Sequence, residues 1–321
     1  MRAVVHVRYG RPHLLELHDV EPPEPEDGEV LVRVRASSVN PADWYGVTGM
    51  LPARIGNGLR RPKSPAVGID VAGVVEAVGR NVEGLRPGDE VFGRSGYAWA
   101  EYATAPRNQL APKPANVSFE QAAATPVAGV TALQALRDQG QVQAGQKVLI
   151  NGASGGVGTF AVQLAKVFGA DVTAVCSSEK VELVRSLGAD CVIDYTQKDF
   201  TRIAERQNLM LDIAGSRSFL AFRRVLDADA TVVVVGGPMT YRGLGPLPHM
   251  AGAFLKAKGR SQKLKFFVAK INSDDLAFLA GLLEARELKA VIERTYPLDE
   301  AADALAHLGE GHAKAKIVLT M

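Results

Sequence analysis

Residues 147–158, Lys-Val-Leu-Ile-Asn-Gly-Ala-Ser-Gly-Gly-Val-Gly, restrict the fold of this chain more than any other stretch. Lys147 to Asn151 reads as a short, mostly apolar strand, glycines follow it, and a helix is expected over 156–168. Gly155 and Gly156, having no side chains, let an anionic group approach the backbone, and Gly158 lets helix and strand pack closely. The free N–H groups and dipole of a helix N-terminus attract phosphate. Ala153 stands where the first glycine of G-x-G-x-x-G is usual. Strand, turn and helix in this order still supply the context of a dinucleotide site, with Ser154, Gly155, Gly156, Val157 and Gly158 as its contacts.

The surrounding pattern repeats the same unit. Strands are expected at 171–176, 191–194, 209–214, 231–235 and 266–270, with a helix at 179–187 between the first two. Near-continuous apolar strands alternating with helices indicate a doubly wound parallel sheet covered on both faces. The first third differs. Residues 28–38 alternate apolar and charged side chains at period two, and 71–78 is rich in β-branched residues, with Pro and Gly clusters between such runs, so a compact, mostly β, barrel-like domain is expected there. A chain of 321 residues exceeds one ordinary core, which favours two domains. A dinucleotide-binding sheet is full at six strands. The helix at 274–286, the strand near 290–296 and the last strand at 316–320 are therefore read as returning to the first domain. The expected division is 1–122 with 273–321 as one domain and 123–272 as the other.

The tip of the second strand of the parallel sheet selects the cofactor. An acid is needed there to bind a ribose 2′-hydroxyl, but this chain has Ser177, Ser178, Glu179 and Lys180, and Ser177 lies nineteen residues after Gly158. Two hydroxyls and an ammonium bind a 2′-phosphate by charge-assisted hydrogen bonds, which points to NADP(H), while Glu179 beside them leaves a ribose contact open.

Composition removes other classes. With 37 basic and 35 acidic residues the formal charge is +2, so no field of one sign is present to hold nucleic acid or an anionic membrane, and neither is expected as a partner. The two cysteines, Cys176 and Cys191, are too few for a disulfide framework or a four-thiolate zinc lobe. The six histidines (His6, His13, His18, His249, His307 and His312) have no metal-ligand spacing. No run approaches the roughly 20 apolar residues of a spanning helix, and residues 1–8 lack the apolar stretch of a signal peptide. A cytoplasmic protein is the simplest expectation.

In order and spacing, five segments carry a resemblance: Ser38-Val39-Asn40-Pro41-Ala42-Asp43, residues 68–79 beginning Gly-Ile-Asp-Val-Ala-Gly, Gly88-Asp89-Glu90-Val91-Phe92-Gly93, the 153–158 turn, and Lys314-Ala315-Lys316-Ile317-Val318. Over nearly its whole length the chain resembles the medium-chain dehydrogenase/reductase superfamily, in its zinc-independent quinone oxidoreductase (zeta-crystallin-like) branch. The resemblance implies a doubly wound Rossmann sheet plus a GroES-like β domain. Zinc-dependent members place a cysteine where this chain has Asn40, Gly-His-Glu where it has Gly68-Ile69-Asp70, and a second thiolate near Val127. No metal site is therefore expected.

Without a metal Lewis acid, quinones and α,β-unsaturated carbonyl compounds are the fitting substrates, because the charge arriving with hydride spreads into a conjugated oxygen. The resemblance sets Asn40 beside the nicotinamide and Trp44 or Tyr45 along the substrate cleft. Tyr45 either donates a proton or hydrogen bond, or is an ordinary aromatic wall. Asp43 is read mainly as a structural carboxylate. Thr131 stands where relatives approach the nicotinamide, or is a helix hydroxyl bonded to its own backbone. Tyr195 matches a 2′-phosphate contact, while Ala214, Gly236 and Gly237 sit at strand ends where open α/β sheets bind ligands. Cys176 is expected to pack as a small apolar residue. Residues 263–270 read as an apolar edge strand, which relatives pair across a two-fold axis, so a homodimer is favoured. The rival readings are an NAD(P)-dependent alcohol or aldehyde dehydrogenase and a non-catalytic NADPH-binding sensor or structural protein.

Overall fold

The computed structural model describes residues 1–203, 205–237, 252, 261–311 and 314–321. His249 and His312 lie outside the described residues. The chain divides into two compact units, one comprising Met1–Val130 and Lys270–Met321, the other beginning at Thr131 and ending at Ala269. The turn into the second unit falls within a helix, α4, described below.

In the first unit, β1 (Arg2–Val5) pairs with β2 (Glu16–Asp19) as a separate two-stranded ribbon. The period-two stretch forms β3 (Glu29–Val39), whose Val30, Val32 and Val34 point into the core while Arg33 and Arg35 face solvent. The helices α1 (Pro41–Thr48) and α2 (Leu51–Asn57) follow, then β4 (Asp70–Val78), β5 (Glu90–Arg94), β6 (Tyr102–Pro106) and β7 (Leu110–Pro112). β3 pairs antiparallel with β4 and β6, β4 with β5, and β5 with β7. Val71, Val75, Val91 and Leu110 join the β3 valines in one cluster, each fully buried side chain contributing roughly 1.5–3 kcal/mol. Helices α3 (Phe119–Ala123) and α4 (Pro126–Gln134) end this half; Ser118 caps α3 by accepting the Gln121 N–H at 3.2 Å.

The second unit holds β8 (Lys147–Asn151), the helix α5 (Gly156–Val167), β9 (Asp171–Cys176), β10 (Cys191–Asp194), β11 (Gln207–Asp212), β12 (Leu226–Val234) and β13 (Lys263–Phe266). All pairings are parallel in the order β10-β9-β8-β11-β12-β13. Counted from β8 this is 3-2-1-4-5-6, the doubly wound order, and its switch point lies between β8 and β11. Leu149, Val175, Met210 and Val232 fill one face with Phe219 and Phe222.

Two local expectations shift. The helix expected at 179–187 begins as a 3-10 turn at Ser178–Lys180 and becomes α-helical only over Val181–Ser186. The last parallel strand is Lys263–Phe266 rather than 266–270. It follows the register of β12, pairing Phe266 with Val234, where β12 ends.

The tail, Lys270–Met321, belongs to the first unit. A helix at Ser273–Glu284 precedes β14 (Ile292–Pro297), a helix at Ala301–Gly309, and β15 (Lys316–Thr320). β14 lies parallel to β15, and β15 runs antiparallel along β3, Ile317 facing Val39 and Thr320 facing Ala36. The order β14-β15-β3-β4-β5-β7 completes a seven-stranded sheet with β6 paired to β3.

Candidate active site and cofactor cradle

In the second unit the strand ends converge around the glycine turn. The Gly155 N–H donates to the Gly152 carbonyl at 3.2 Å, and Gly152 holds φ at +90°, a left-handed conformation suited to glycine. Gly155 caps α5 without any side-chain hydrogen bond, so the first N–H groups of that helix stay available. A Cβ added at Gly155 would meet only the Gly152 oxygen, at 3.6 Å, whereas at Gly158 it would lie 2.1 Å from that oxygen. The turn is open on the Gly155 side and closed on the Gly158 side, a cradle that fits a diphosphate. Ser154 is buried and Val157 half-buried beside it.

Neighbouring strands add to the cradle's edge. The Asn151 amide donates to Asp212 Oδ1 at 2.7 Å and to Ser216 Oγ at 3.2 Å, and the Gly215 N–H donates to the same Asp212 oxygen at 3.0 Å. Ile213 and Ala214 donate to the Asn151 carbonyl, and Gly236 to that of Asp212. Ala214 and Gly236 therefore lie where β8, β11 and β12 end, with Gly237 next in the chain. A Cβ at Gly236 would stand 2.5 Å from the Ile213 oxygen, so glycine there serves a close backbone crossing. The Asn151–Asp212 pair was missed from sequence; its signal was a polar residue ending each of two apolar strands.

The β9 and β10 tips bring Ser177, Ser178, Lys180 and Tyr195 to one edge, with the Tyr195 N–H donating to the Cys176 carbonyl at 3.0 Å. Tyr195 is exposed. Ser178 Oγ donates to Asp194 Oδ2 and hydrogen-bonds Thr196 Oγ1 at 2.9 Å. The Ser178 hydroxyl, opposed by burial and helped by the Thr196 donors, holds the Asp194 carboxyl below its ordinary range. Asp194 was not singled out from sequence, and it commits one of the two hydroxyls expected to meet a 2′-phosphate. Cys176 is buried, its thiol pushed up to about 11, chiefly by burial, which agrees with an unreactive packing role. Thr131 sits half-buried on α4.

In the first unit a buried polar network occupies the crossing of β3, β4 and β15. The Lys316 ammonium donates to Asn40 Oδ1 at 2.7 Å and approaches Asp70 Oδ2 at 3.4 Å. The Asn40 amide donates to Asp70 Oδ2 at 2.9 Å, Ser38 Oγ donates to the same oxygen, and the Val127 N–H reaches Asp70 Oδ1 at 2.9 Å. Asn40, Asp70 and Lys316 are all buried. Asn40 is also the N-cap of α1, its N–H donating to Asp43 Oδ2 at 2.8 Å, the return bond of a capping box. Burial, and to a lesser degree the Asp70 charge, push Asp43 up to about 7, although the Asn40 N–H pulls the other way. Its contacts are those of a structural carboxylate.

The α1 helix separates the two aromatic candidates. Trp44 is 1% exposed and packs on Gly309, where a Cβ would lie 2.0 Å from the indole ring. Tyr45, one position round the helix, is half-buried and its hydroxyl makes no hydrogen bond among the described residues. Burial raises its phenol above the ordinary value, so it is protonated at neutral pH. Lys316 and Asp70 were not singled out from sequence as site residues; the available signal was a lysine at the head of an otherwise apolar strand.

A parallel sheet in doubly wound order, a bare glycine cradle and a second β unit define a nucleotide-dependent dehydrogenase/reductase. Residues 26–115 match the alcohol dehydrogenase GroES-like domain family, and residues 187–319 the family described as zinc-binding dehydrogenase. A chloroplast envelope quinone oxidoreductase homolog of Arabidopsis thaliana is 33% identical, covering 95% of this chain and 93% of its own. The chloroplastic NADPH-dependent alkenal/one oxidoreductase of the same plant is 33% identical over 99% of this chain and 79% of its own. The structure of the quinone oxidoreductase from Coxiella burnetii superposes with a TM-score of 0.87 at 30% identity, covering 100% of this chain and 99% of that one. The chain belongs to the medium-chain dehydrogenase/reductase superfamily, among its quinone oxidoreductase-like members.

The description of the second matched family implies zinc, and the residues here do not fit it. Among the described residues no three His, Cys, Asp or Glu side chains cluster to hold a metal. The carboxylate nearest the expected position, Asp70, already accepts hydrogen bonds on both oxygens and faces an ammonium, which repels a second cation.

Proposed function

We propose that this protein is an NADPH-dependent, zinc-independent reductase that delivers hydride to quinones or α,β-unsaturated carbonyl compounds. The observation that carries the cofactor is the open Gly155 cradle at the uncapped start of α5. The substrate class is supported by the chemistry of a site that offers no Lewis acid, and by relatives whose names state quinone and alkenal/one reduction.

NADPH, when bound, supplies the hydride. The chain's own part is positioning and protons. The bare α5 N-terminus would hold the diphosphate, and Ser177, Lys180 and Tyr195 would take the 2′-phosphate at the β9–β10 edge. Thr131, Ala214, Gly236 and Gly237 of the second unit would receive the nicotinamide. Tyr45, with a protonated and uncommitted hydroxyl, donates to the carbonyl oxygen or to the carbanionic carbon of the reduced enone.

NADPH consumption against a panel of quinones, enones and aldehydes tests this reading. Turnover of quinones or enones exceeding that of aldehydes is expected; tight NADPH binding with no turnover of any of them refutes it in favour of a sensor.

The protein acts as a homodimer in the cytoplasm. The dimer is supported by β13, an edge strand followed by Val268 at 88% exposure. The compartment is supported by two unpaired cysteines, one of them exposed. No helix among the described residues is long and apolar enough to cross a membrane. Sedimentation at micromolar concentration should give twice the chain mass.

A further inference from the structure

The short helix α2 buries none of its residues in the chain. It is held from its polar side. Arg54 Nε donates to the Gly49 carbonyl at 2.6 Å, the guanidinium lies 4.7 Å from the centre of the Tyr9 ring, and the Tyr9 hydroxyl donates to the Gly58 carbonyl at 2.8 Å. Asn57 Oδ1 accepts the Ser64 N–H at 3.2 Å. Leu51 and Ile55, one turn apart, are exposed, and Leu59 follows them; Ile55 is 70% and Leu59 64% exposed. A helix on a globular protein ordinarily turns its apolar stripe inward, and this one does the reverse. Val7, near Tyr9, is exposed as well. The Gly10 N–H donates to the Val47 carbonyl at 3.0 Å and the His6 N–H to that of Pro65 at 2.7 Å, so residues 6–10 and 47–65 form one surface of the first unit.

The charges on this surface have one sign. Residues 1–15 and 44–69 contain no Asp or Glu. Arg8, Arg11, Arg60, Arg61 and Lys63 are exposed, and none of them forms an ion pair among the described residues. The formal charge of +2 is a sum over the whole chain and hides this local segregation.

We propose that α2, the 58–63 loop and residues 7–11 dock on an anionic lipid surface, with Leu51, Ile55 and Leu59 entering the boundary between headgroups and acyl chains and the five cations meeting lipid phosphates. Projecting aliphatic side chains need no shaped partner in disordered hydrocarbon, and the cations complement a negative leaflet. Nucleic acid would meet the charges but gain nothing from exposed leucine and isoleucine. A second copy related by a two-fold axis would bring like charges together. The surface is independent of the reductase reading.

The experiment sediments the full chain with vesicles of phosphatidylcholine alone and with vesicles containing one part phosphatidylglycerol to three parts phosphatidylcholine. Binding to the anionic vesicles is expected to exceed binding to the neutral ones by at least about tenfold and to weaken as salt is added. Arg60→Gln with Arg61→Gln should lower it about tenfold or more. Ile55→Ser with Leu59→Ser should lower it to a similar degree, about tenfold. Because the altered side chains are exposed, both double variants should melt within about 2 °C of wild type. Absence of binding to the anionic vesicles would overturn the proposal. So would unweakened binding by the Ile55→Ser, Leu59→Ser variant, which leaves only an attraction that any polyanion satisfies. If those two changes instead split a wild-type assembly into lighter species in sedimentation velocity without lipid, the surface belongs to a second copy and the proposal falls. Neither vesicles nor melting involve NADPH or an acceptor, so failure of the reductase reading shows separately, in the turnover panel.

Discussion

The Cβ position of Gly158 lies 2.1 Å from the carbonyl oxygen of Gly152, while that of Gly155 lies 3.6 Å from the same atom. Two glycines three residues apart therefore do different work, one admitting the chain's own backbone and the other leaving room for a ligand.

That difference gives a pair of opposite outcomes. Gly158→Ala forces the turn off α5 and should lower both the melting temperature and NADPH affinity. Gly155→Ala, with φ at −78° and ordinary clearance, should melt close to wild type yet bind NADPH about tenfold more weakly, since a methyl group stands where phosphate approaches. Differential scanning fluorimetry beside a fluorescence titration separates the two; equal effects of both changes on both measurements would contradict this division.

Cofactor discrimination should reside at the β9–β10 edge. Lys180→Ala removes a charge-assisted partner worth about 1.5–3 kcal/mol, so NADPH affinity should fall roughly 10- to 100-fold while NADH affinity holds. An equal loss for both cofactors would move the 2′-phosphate contact elsewhere.

Tyr45→Phe deletes the one uncommitted hydroxyl on α1. On an enone substrate kcat should fall on the order of 10²-fold with KM little changed. Because burial raises the phenol, the alkaline limb of the wild-type rate profile should lie above pH 10. Unchanged turnover in the variant would assign the proton to water and leave Tyr45 as a wall of the cleft.

Asp43 makes stability depend on pH in a stated direction. Its pKa rises from 3.8 to about 7 on folding, chiefly through burial, so between those values the folded chain keeps a proton that the unfolded chain has released. The contribution is complete below pH 4 and is lost as pH climbs toward 7, by at most about 1.4 kcal/mol per pH unit. Asp43→Asn keeps an acceptor for the Asn40 N–H and should flatten that slope, as urea unfolding at pH 4.5, 6 and 7.5 would register. Parallel wild-type and variant curves would show that Asp43 is ionised throughout.

What was legible beforehand and what was not divide along contact range. The glycine turn, the alternating strands and the Ser177–Lys180 tip are contiguous in the chain. Backbone sterics and hydrophobic periodicity act over a few residues, so these features were readable in place. The final strand of the parallel sheet slipped by three residues at its start because its extent is set by where β12 ends.

The choice between Trp44 and Tyr45 needed the packing of α1 on the helix at Ala301–Gly309, where Gly309 receives the indole. A one-residue step turns a helical side chain by about 100°, so adjacent aromatics meet opposite environments. The contact between Lys316 and Asn40 spans 276 residues and exists because β15 runs antiparallel along β3 in one particular register. Local pattern thus determined the cofactor cradle and the class of fold, whereas the register of the last strand alone decided which charge sits at the heart of the first unit. Strand pairing at such separation is governed by the burial of whole faces, and no short run of residues encodes it.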